Sequence, residues 1–154
     1  MRLLVFSDSH GVAYYMRKVL EMHPEADKII FLGDGEADLD NMEYYIGNKP
    51  VVKVKGNCDP YSDLKALEII KAAGQTVYIT HGYAEHVKAG LTELKLTARG
   101  YGANIVLYGH THRQESFTED GVYYMNPGSI SERYYGMIDI TPKGIMLIEA
   151  RADY

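Results

Sequence analysis

The chain has one cysteine in 154 residues, no tryptophan and five prolines. A single thiol excludes an internal disulfide framework and fits a reducing compartment. No apolar run is long enough to cross a bilayer as a helix. The first run, Leu3-Leu4-Val5-Phe6, meets Asp8 too soon for the apolar region of a secretion signal. A cytoplasmic protein without a membrane partner is therefore expected. Cations are in the minority, 16 Lys and Arg against 21 Asp and Glu for a net charge of -5. That balance argues against an extended nucleic-acid surface. Linkers, low-complexity stretches and fixed-period repeats are also missing. With 46% hydrophobic and 24% charged residues, the expectation is one soluble domain over residues 1–154.

Tyrosine, by contrast, is abundant, with fourteen in the chain and pairs at Tyr14-Tyr15, Tyr44-Tyr45, Tyr123-Tyr124 and Tyr134-Tyr135. In a strand, neighbours face opposite sides, so one member of a pair can be core and the other exposed. Exposed tyrosines are common at interfaces, and a homodimer or tetramer is one reading. Ordinary core and surface tyrosines are the other.

Five apolar runs stop at residues that bind metals. Leu3 to Phe6 leads into Ser7-Asp8-Ser9-His10, and Ile29 to Leu32 into Gly33-Asp34. Val51 to Val54 leads into Lys55-Gly56-Asn57-Cys58-Asp59, Val77 to Ile79 into Thr80-His81-Gly82, and Ile105 to Tyr108 into Gly109-His110-Thr111-His112. Short β-branched and apolar runs bounded by Gly, Asn and Asp read as buried strands. Ligands of open α/β sheets gather where such strands end.

Between the runs, helices are expected over 12–22, 38–46 and 87–101, with His86 opening the last. Residues 64–73 fit either a helix or one arm of a hairpin turning at Ala73-Gly74. After His112 the texture becomes strands near 114–118, 122–125, 135–140 and 145–150. Strand-helix alternation followed by antiparallel strands suggests two packed sheets with helices outside.

Asp8 and His10 lie two apart, so in extended backbone they reach the same side, and His110 and His112 repeat the spacing. Asp34 has two oxygens and can bridge two ions. Asn57 adds an amide oxygen and His81 an imidazole. Each motif alone is weak; their common position after strands gives the set its force. The mixed nitrogen and oxygen donors suit Mn, Fe, Zn or Ni better than Mg. Two carboxylates against two divalent ions leave positive charge, which favours an anionic substrate such as a phosphate ester. His23 and His86 carry the plainer reading of helix-end residues.

Asp8-Ser9-His10, Gly33-Asp34, Gly56-Asn57-Cys58-Asp59, His81-Gly82 and Gly109-His110-Thr111-His112 together resemble the calcineurin-like metallophosphoesterase signature. Asn126-Pro127-Gly128-Ser129 is similar to the segment that follows it in the small bacterial and archaeal phosphodiesterases. The resemblance covers nearly the whole chain. It implies an α/β fold: a four-layer αββα sandwich of two mixed β-sheets flanked by helices, with the metal site at the strand C-terminal ends. It implies one ion held by Asp8, His10, Asp34 and His112, and another held by Asp34, Asn57, His81 and His110. Manganese is the first expectation, with Ni, Fe or Zn as alternatives.

The expected reaction is attack of a metal-bridging hydroxide on a small phosphodiester, with Asp34, Asn57 and His81 as the residues closest to the chemistry. A phosphomonoesterase and a non-catalytic scaffold of the same fold are the competing readings. Most of the superfamily has His after Gly-Asn, where this chain has Cys58. A thiol is a weak hydrogen-bond donor and replaces His poorly as an acid. Cys58 is read as filler or a substrate contact, with Tyr83 and Arg113 as further substrate-contact candidates. Asp59 is expected to orient a ligand His or to cap the next segment, with capping the plainer reading.

Overall fold

The computed structural model describes residues 1–153. Strands β1 (Arg2–Phe6), β2 (Lys28–Phe31), β3 (Val51–Lys53), β9 (Tyr134–Thr141) and β10 (Gly144–Arg151) form one sheet, in the order β10-β9-β1-β2-β3. Strands β4 (Leu67–Ala72), β5 (Gln75–Thr80), β6 (Ile105–Leu107), β7 (Glu115–Glu119) and β8 (Val122–Asn126) form the other, in the order β4-β5-β6-β8-β7. In the first sheet β1-β2-β3 run parallel up to the edge at β3, with β9 and β10 antiparallel on the β1 side; in the second, a parallel centre β5-β6-β8 is flanked by antiparallel β4 and β7.

Both faces of the central strands are covered, which is why they read as continuous apolar runs rather than alternating ones. Leu3, Val5, Ile30 and Leu32 of the first sheet meet Val77, Ile79, Ile105 and Leu107 of the second in one apolar layer. The intervening residues Leu4, Phe6, Ile29 and Phe31 point the other way. They pack on Met16, Val19 and Leu20 of α1 (Tyr14–Met22), Leu39 of α2 (Glu36–Asp40) and Ile46 of α3 (Glu43–Ile46). Tyr78, Val106, Tyr108 and Tyr124 pack on Leu94 and Ala98 of α4 (Thr92–Gly100). The period of two thus builds the four-layer αββα sandwich that the motifs implied.

Helix boundaries differ from the sequence expectation. The segment 38–46 is two short helices, the first beginning at Glu36 and ending before Asn41. The last helix starts at Thr92 rather than near 87. His86 and Gly90 hold φ of 54° and 144°, and residues 82–90 run as successive turns. His86 therefore sits in a turn and not at a helix start. The ambiguous segment 64–73 supplies β4, which pairs with β5 across Ala73-Gly74 at φ of 47° and 83°. The β7–β8 hairpin stays in the second sheet, while β9 and β10 cross to the first and lie against β1. Of the tyrosine pairs, Tyr123-Tyr124 and Tyr134-Tyr135 lie in strands and alternate, with Tyr124 and Tyr135 buried and their neighbours half-buried, whereas Tyr14-Tyr15 and Tyr44-Tyr45 lie in helices, where the strand argument does not apply.

Candidate metal centre

The ends of β1, β2, β5 and β6 lie side by side, and their continuations are tied together through the backbone. Asp8 N–H donates to Gly33 O at 3.0 Å, His10 N–H to Asp34 O at 3.0 Å and Gly109 N–H to His81 O at 2.9 Å. Five of the seven expected ligands leave their strands through the left-handed region: Asp8, His10, Asp34, His110 and His112, at φ of 57°, 44°, 59°, 71° and 60°. Such backbone costs about 1–3 kcal/mol per residue and persists only where neighbours enforce it.

The enforcement is visible. Ser129 Oγ donates to Asp8 O at 2.7 Å, and the Asn126 side-chain amide donates to Gly109 O at 3.2 Å and to Thr111 Oγ1 at 2.9 Å. The Asn-Pro-Gly-Ser segment is thus a brace beneath two of the loops. At Gly109, a β-carbon would stand 2.1 Å from Ser7 Oγ and 2.9 Å from Asp8 Oδ2, so a side chain has no room there.

Two carboxylates occupy the centre, both buried. Asp8 Oδ2 accepts from Ser7 Oγ at 2.5 Å and from His110 N–H at 3.2 Å. Asp34 Oδ1 accepts from Cys58 N–H at 2.7 Å. Their other oxygens face imidazoles. Asp8 Oδ1 lies 3.3 Å from His112 Nε2 and 3.5 Å from His10 Nε2, and Asp34 Oδ2 lies 3.2 Å from His81 Nε2 and 3.6 Å from His10 Nε2. Donor atoms of Asp8, His10 and His112 converge in one group, and those of Asp34, His81 and His110 in another. A third grouping adds Cys58 to His10 and Asp34.

The donor set fits cations. Among the described residues, Asp8 Oδ1 is buried with no hydrogen-bond partner, a costly state for a carboxylate oxygen unless a positive charge meets it. His10 Nε2 and His112 Nε2 face each other at 3.2 Å. His81 Nδ1–H donates to Leu32 O at 2.7 Å, which turns Nε2 inward, 2.9 Å from the acceptor Asn57 Oδ1. Acceptors meeting acceptors need a proton or a metal ion between them.

The charges of the cluster act on one another. Burial pushes the His81 imidazolium down, but the hydrogen bond to Asp34 and the charge of Asp8 outweigh it and raise the pKa. Burial likewise pushes Asp34 up, yet the His81 contacts and the Cys58 N–H overcome it and hold the carboxyl at about 2. His110 is shifted down, by burial first and then by the charges of His81 and Lys88. Burial and the nearby Asp34 charge push the Cys58 thiol up, so it stays protonated.

Two cavities flank the cluster. One of about 420 Å³ shares Asn57 and His81 with it and is lined also by Lys55, Tyr61, Ser62 and Tyr83. The other, about 460 Å³, shares His10 and Asp34 and is lined by Cys58, Glu36, Asp38 and Asp40. Residues Asp59, Pro60, Tyr61 and Ser62 border both. Tyr83 sits edge-on to His110 with ring centroids 5.5 Å apart. Arg113 is exposed and borders a third cavity with His112, Gln114, Glu115, Glu132 and Tyr134.

Two features escaped the sequence reading. Asp59 is a cap, but for a segment more than twenty residues upstream. Its Oδ2 accepts from Asp34 and Gly56 N–H at 2.8 Å each, and its Oδ1 from Gly35 and Glu36 N–H at 2.9 and 3.2 Å. It shapes the Asp34 loop and satisfies the start of α2. Tyr61 is the other, fully exposed at φ 67° beside the cluster. The turn sequence Asp59-Pro60-Tyr61-Ser62 next to the Gly-Asn motif was the available signal.

The profile of the calcineurin-like phosphoesterase superfamily domain matches residues 1–149. The probable metallophosphoesterase YsnB of Bacillus subtilis is 32% identical over 131 residues, covering 84% of this chain and 75% of that protein. The phosphodiesterase YfcE of Escherichia coli is 25% identical over 169 residues, covering 90% of this chain and 88% of that one. Among solved structures, Vps29 of Entamoeba histolytica in complex with zinc superposes with a TM-score of 0.76 at 18% identity, covering 99% of this chain and all of that one, a likeness of fold. With strand ends, carboxylates and imidazoles arranged as described, and the profile spanning almost its whole length, the chain belongs to the calcineurin-like phosphoesterase superfamily.

Proposed function

We propose that the protein is a phosphodiesterase that works with two divalent metal ions, manganese first, with nickel, iron or zinc able to serve. The observation that carries this is the buried, unpartnered Asp8 Oδ1 among imidazole nitrogens. Asp8, His10, Asp34 and His112 would hold one ion, and Asp34, Asn57, His81 and His110 the other. When bound, such a pair supplies Lewis acidity and an acidified water for in-line displacement at phosphorus.

The remaining roles belong to the side chains. Leu32 O fixes the His81 tautomer, so Nε2 keeps its lone pair toward the site. Asn57 and His81 border the cavity where an ester arm would enter and orient the phosphoryl group there. Cys58 stands where most of the superfamily has His, and a thiol is a weak hydrogen-bond donor and a poor acid toward a leaving oxygen. Good leaving groups should therefore react best, which favours aryl and nucleotide diesters over simple alkyl monoesters. Retention of every expected ligand favours the enzyme over a scaffold of the same fold. Small size and family habit suggest a homodimer or tetramer, and the substrate would be a small diester.

The test combines elemental analysis of gently purified protein with hydrolysis of bis(4-nitrophenyl) phosphate under Mn, Ni, Zn and Mg. Two ions per chain and metal-restored turnover are expected, with faster turnover of the diester than of 4-nitrophenyl phosphate. Across a series of aryl methyl phosphates, the rate should rise as the leaving-group pKa falls. A flat series would contradict the lack of a general acid, and metal-free protein under every condition would sink the whole reading.

A further inference from the structure

The two cavities beside the cluster differ in charge and in surface. Glu36, Asp38 and Asp40 line the one that shares His10 and Asp34, and no Lys or Arg does. In the cavity that shares Asn57 and His81, the one carboxylate outside the cluster among the described residues is Asp59, whose oxygens are taken by four backbone N–H groups, and Lys55 supplies a cation. Two large rings border this second cavity, and both are exposed: Tyr61 at 100% and Tyr83 at 60%. An aromatic side chain in left-handed backbone is strained, and Tyr61 (φ 67°) has no burial to offset that strain. The turn that holds it, closed by Ser62 N–H on Asp59 O at 3.4 Å, leaves its ring open at the cavity border. Tyr83 is held against His110 by the edge-on ring contact, so its face is placed within one residue of the cluster.

We infer that the cavity bordered by Lys55, Tyr61 and Tyr83 is a subsite for a planar aromatic ring carried by the phosphate ester, a nucleobase or an aryl group, and that Tyr61 and Tyr83 set the preference for it. Each base-on-aromatic contact is sequence-tolerant because every base has a π-face. The acidic cavity would take the other, uncharged or cationic, arm. This inference rests on the proposed phosphodiesterase reading only for the position of the phosphoryl group.

The experiment is calorimetric titration of the manganese-loaded protein with adenosine 5'-monophosphate and with ribose 5-phosphate, which carries a hydroxyl in place of the base. The wild type should bind the nucleotide about tenfold or more tightly than the sugar phosphate. The Tyr61→Ala/Tyr83→Ala double variant should bind the two alike, at the wild-type affinity for ribose 5-phosphate. The Tyr61→Phe/Tyr83→Phe variant keeps both rings and should retain the preference. Equal affinities in the wild type, a preference that survives in the alanine variant, or loss in the phenylalanine variant would each overturn the subsite. If the alanine variant also loses ribose 5-phosphate, the phenylalanine variant decides alone. Turnover of bis(4-nitrophenyl) phosphate by the same preparation judges the enzyme reading separately. Base preference without turnover keeps the subsite and removes the phosphodiesterase; turnover without base preference does the reverse.

Discussion

Asp8 and Asp34 divide their oxygens in the same way. One oxygen of each is pinned by hydrogen-bond donors, and the other is turned toward imidazole nitrogens. The pinned oxygen fixes the carboxylate plane, so the second oxygen is aimed without a partner of its own. Asp34 lies close to histidines of both proposed ion positions, His10 and His81. Asp34→Asn keeps the size and the acceptor for Cys58 N–H but replaces the inward oxygen with an amide group that cannot bridge. The expected outcome is loss of at least one of two ions per chain and a fall in diesterase rate of about a hundredfold or more, because a change even in the partners behind metal ligands costs 10–100-fold. Elemental analysis with the matching rate measurement checks it. Two ions and an unchanged rate would show that Asp34 is no bridge.

Loops, more than strands, decide where these oxygens point, and Asp59 governs the loop after β2. Asp59→Ala would leave the N–H groups of Asp34, Gly35, Glu36 and Gly56 without their acceptor. Some would find water, so the expected loss is about 2–3 kcal/mol of stability, with weaker metal retention because Asp34 is no longer held. Urea unfolding of chelator-treated protein reads the first effect free of the second. Unfolding unchanged from wild type would mean that water replaces the carboxylate at no cost. Asp59 also shows what a sequence can disclose. The candidate ligands were legible because an apolar run precedes each; behind all but Asn57 the strand is buried, while β3 before Asn57 is a half-buried edge strand. The four N–H partners of Asp59 and the Leu32 carbonyl behind His81 were not, because they depend on which strand ends become neighbours. The β4 segment reads equally as helix or strand, and only pairing with β5 selects the strand. The start of the last helix was misplaced because residues 82–90 form turns in which His86 and Gly90 take positive φ while Glu85 and Val87 are buried.

At the scale of the whole molecule, the first sheet is closed by residues far apart in sequence, and one ion pair marks the seam. Arg2 at the start of β1 donates through Nε and Nη2 to both oxygens of Asp139 on β9, at 2.7 and 2.8 Å, and through Nη1 to Glu25 at 2.8 Å. The bidentate geometry joins the N-terminal strand to the C-terminal hairpin across 137 residues. The Arg2 guanidinium holds the Asp139 carboxyl below its ordinary value. A carboxyl depressed in the folded state stabilises that state above its unfolded pKa, about 3.9, and the gain disappears as pH falls through the folded value. The pair is partly exposed, with side chains 29% and 24% accessible, so its worth is near the top of the range for surface pairs, about 1 kcal/mol. Asp139→Asn should therefore lower stability by about that amount at pH 7 and by progressively less below about pH 4, where the two proteins should converge. Paired urea titrations between pH 7 and pH 3, with chelator present so that metal linkage is absent from both, measure the difference directly. A gap that stays constant down to pH 3 would mean that Asp139 contributes through packing or hydrogen bonding alone, and that the charge of the pair does not hold the seam.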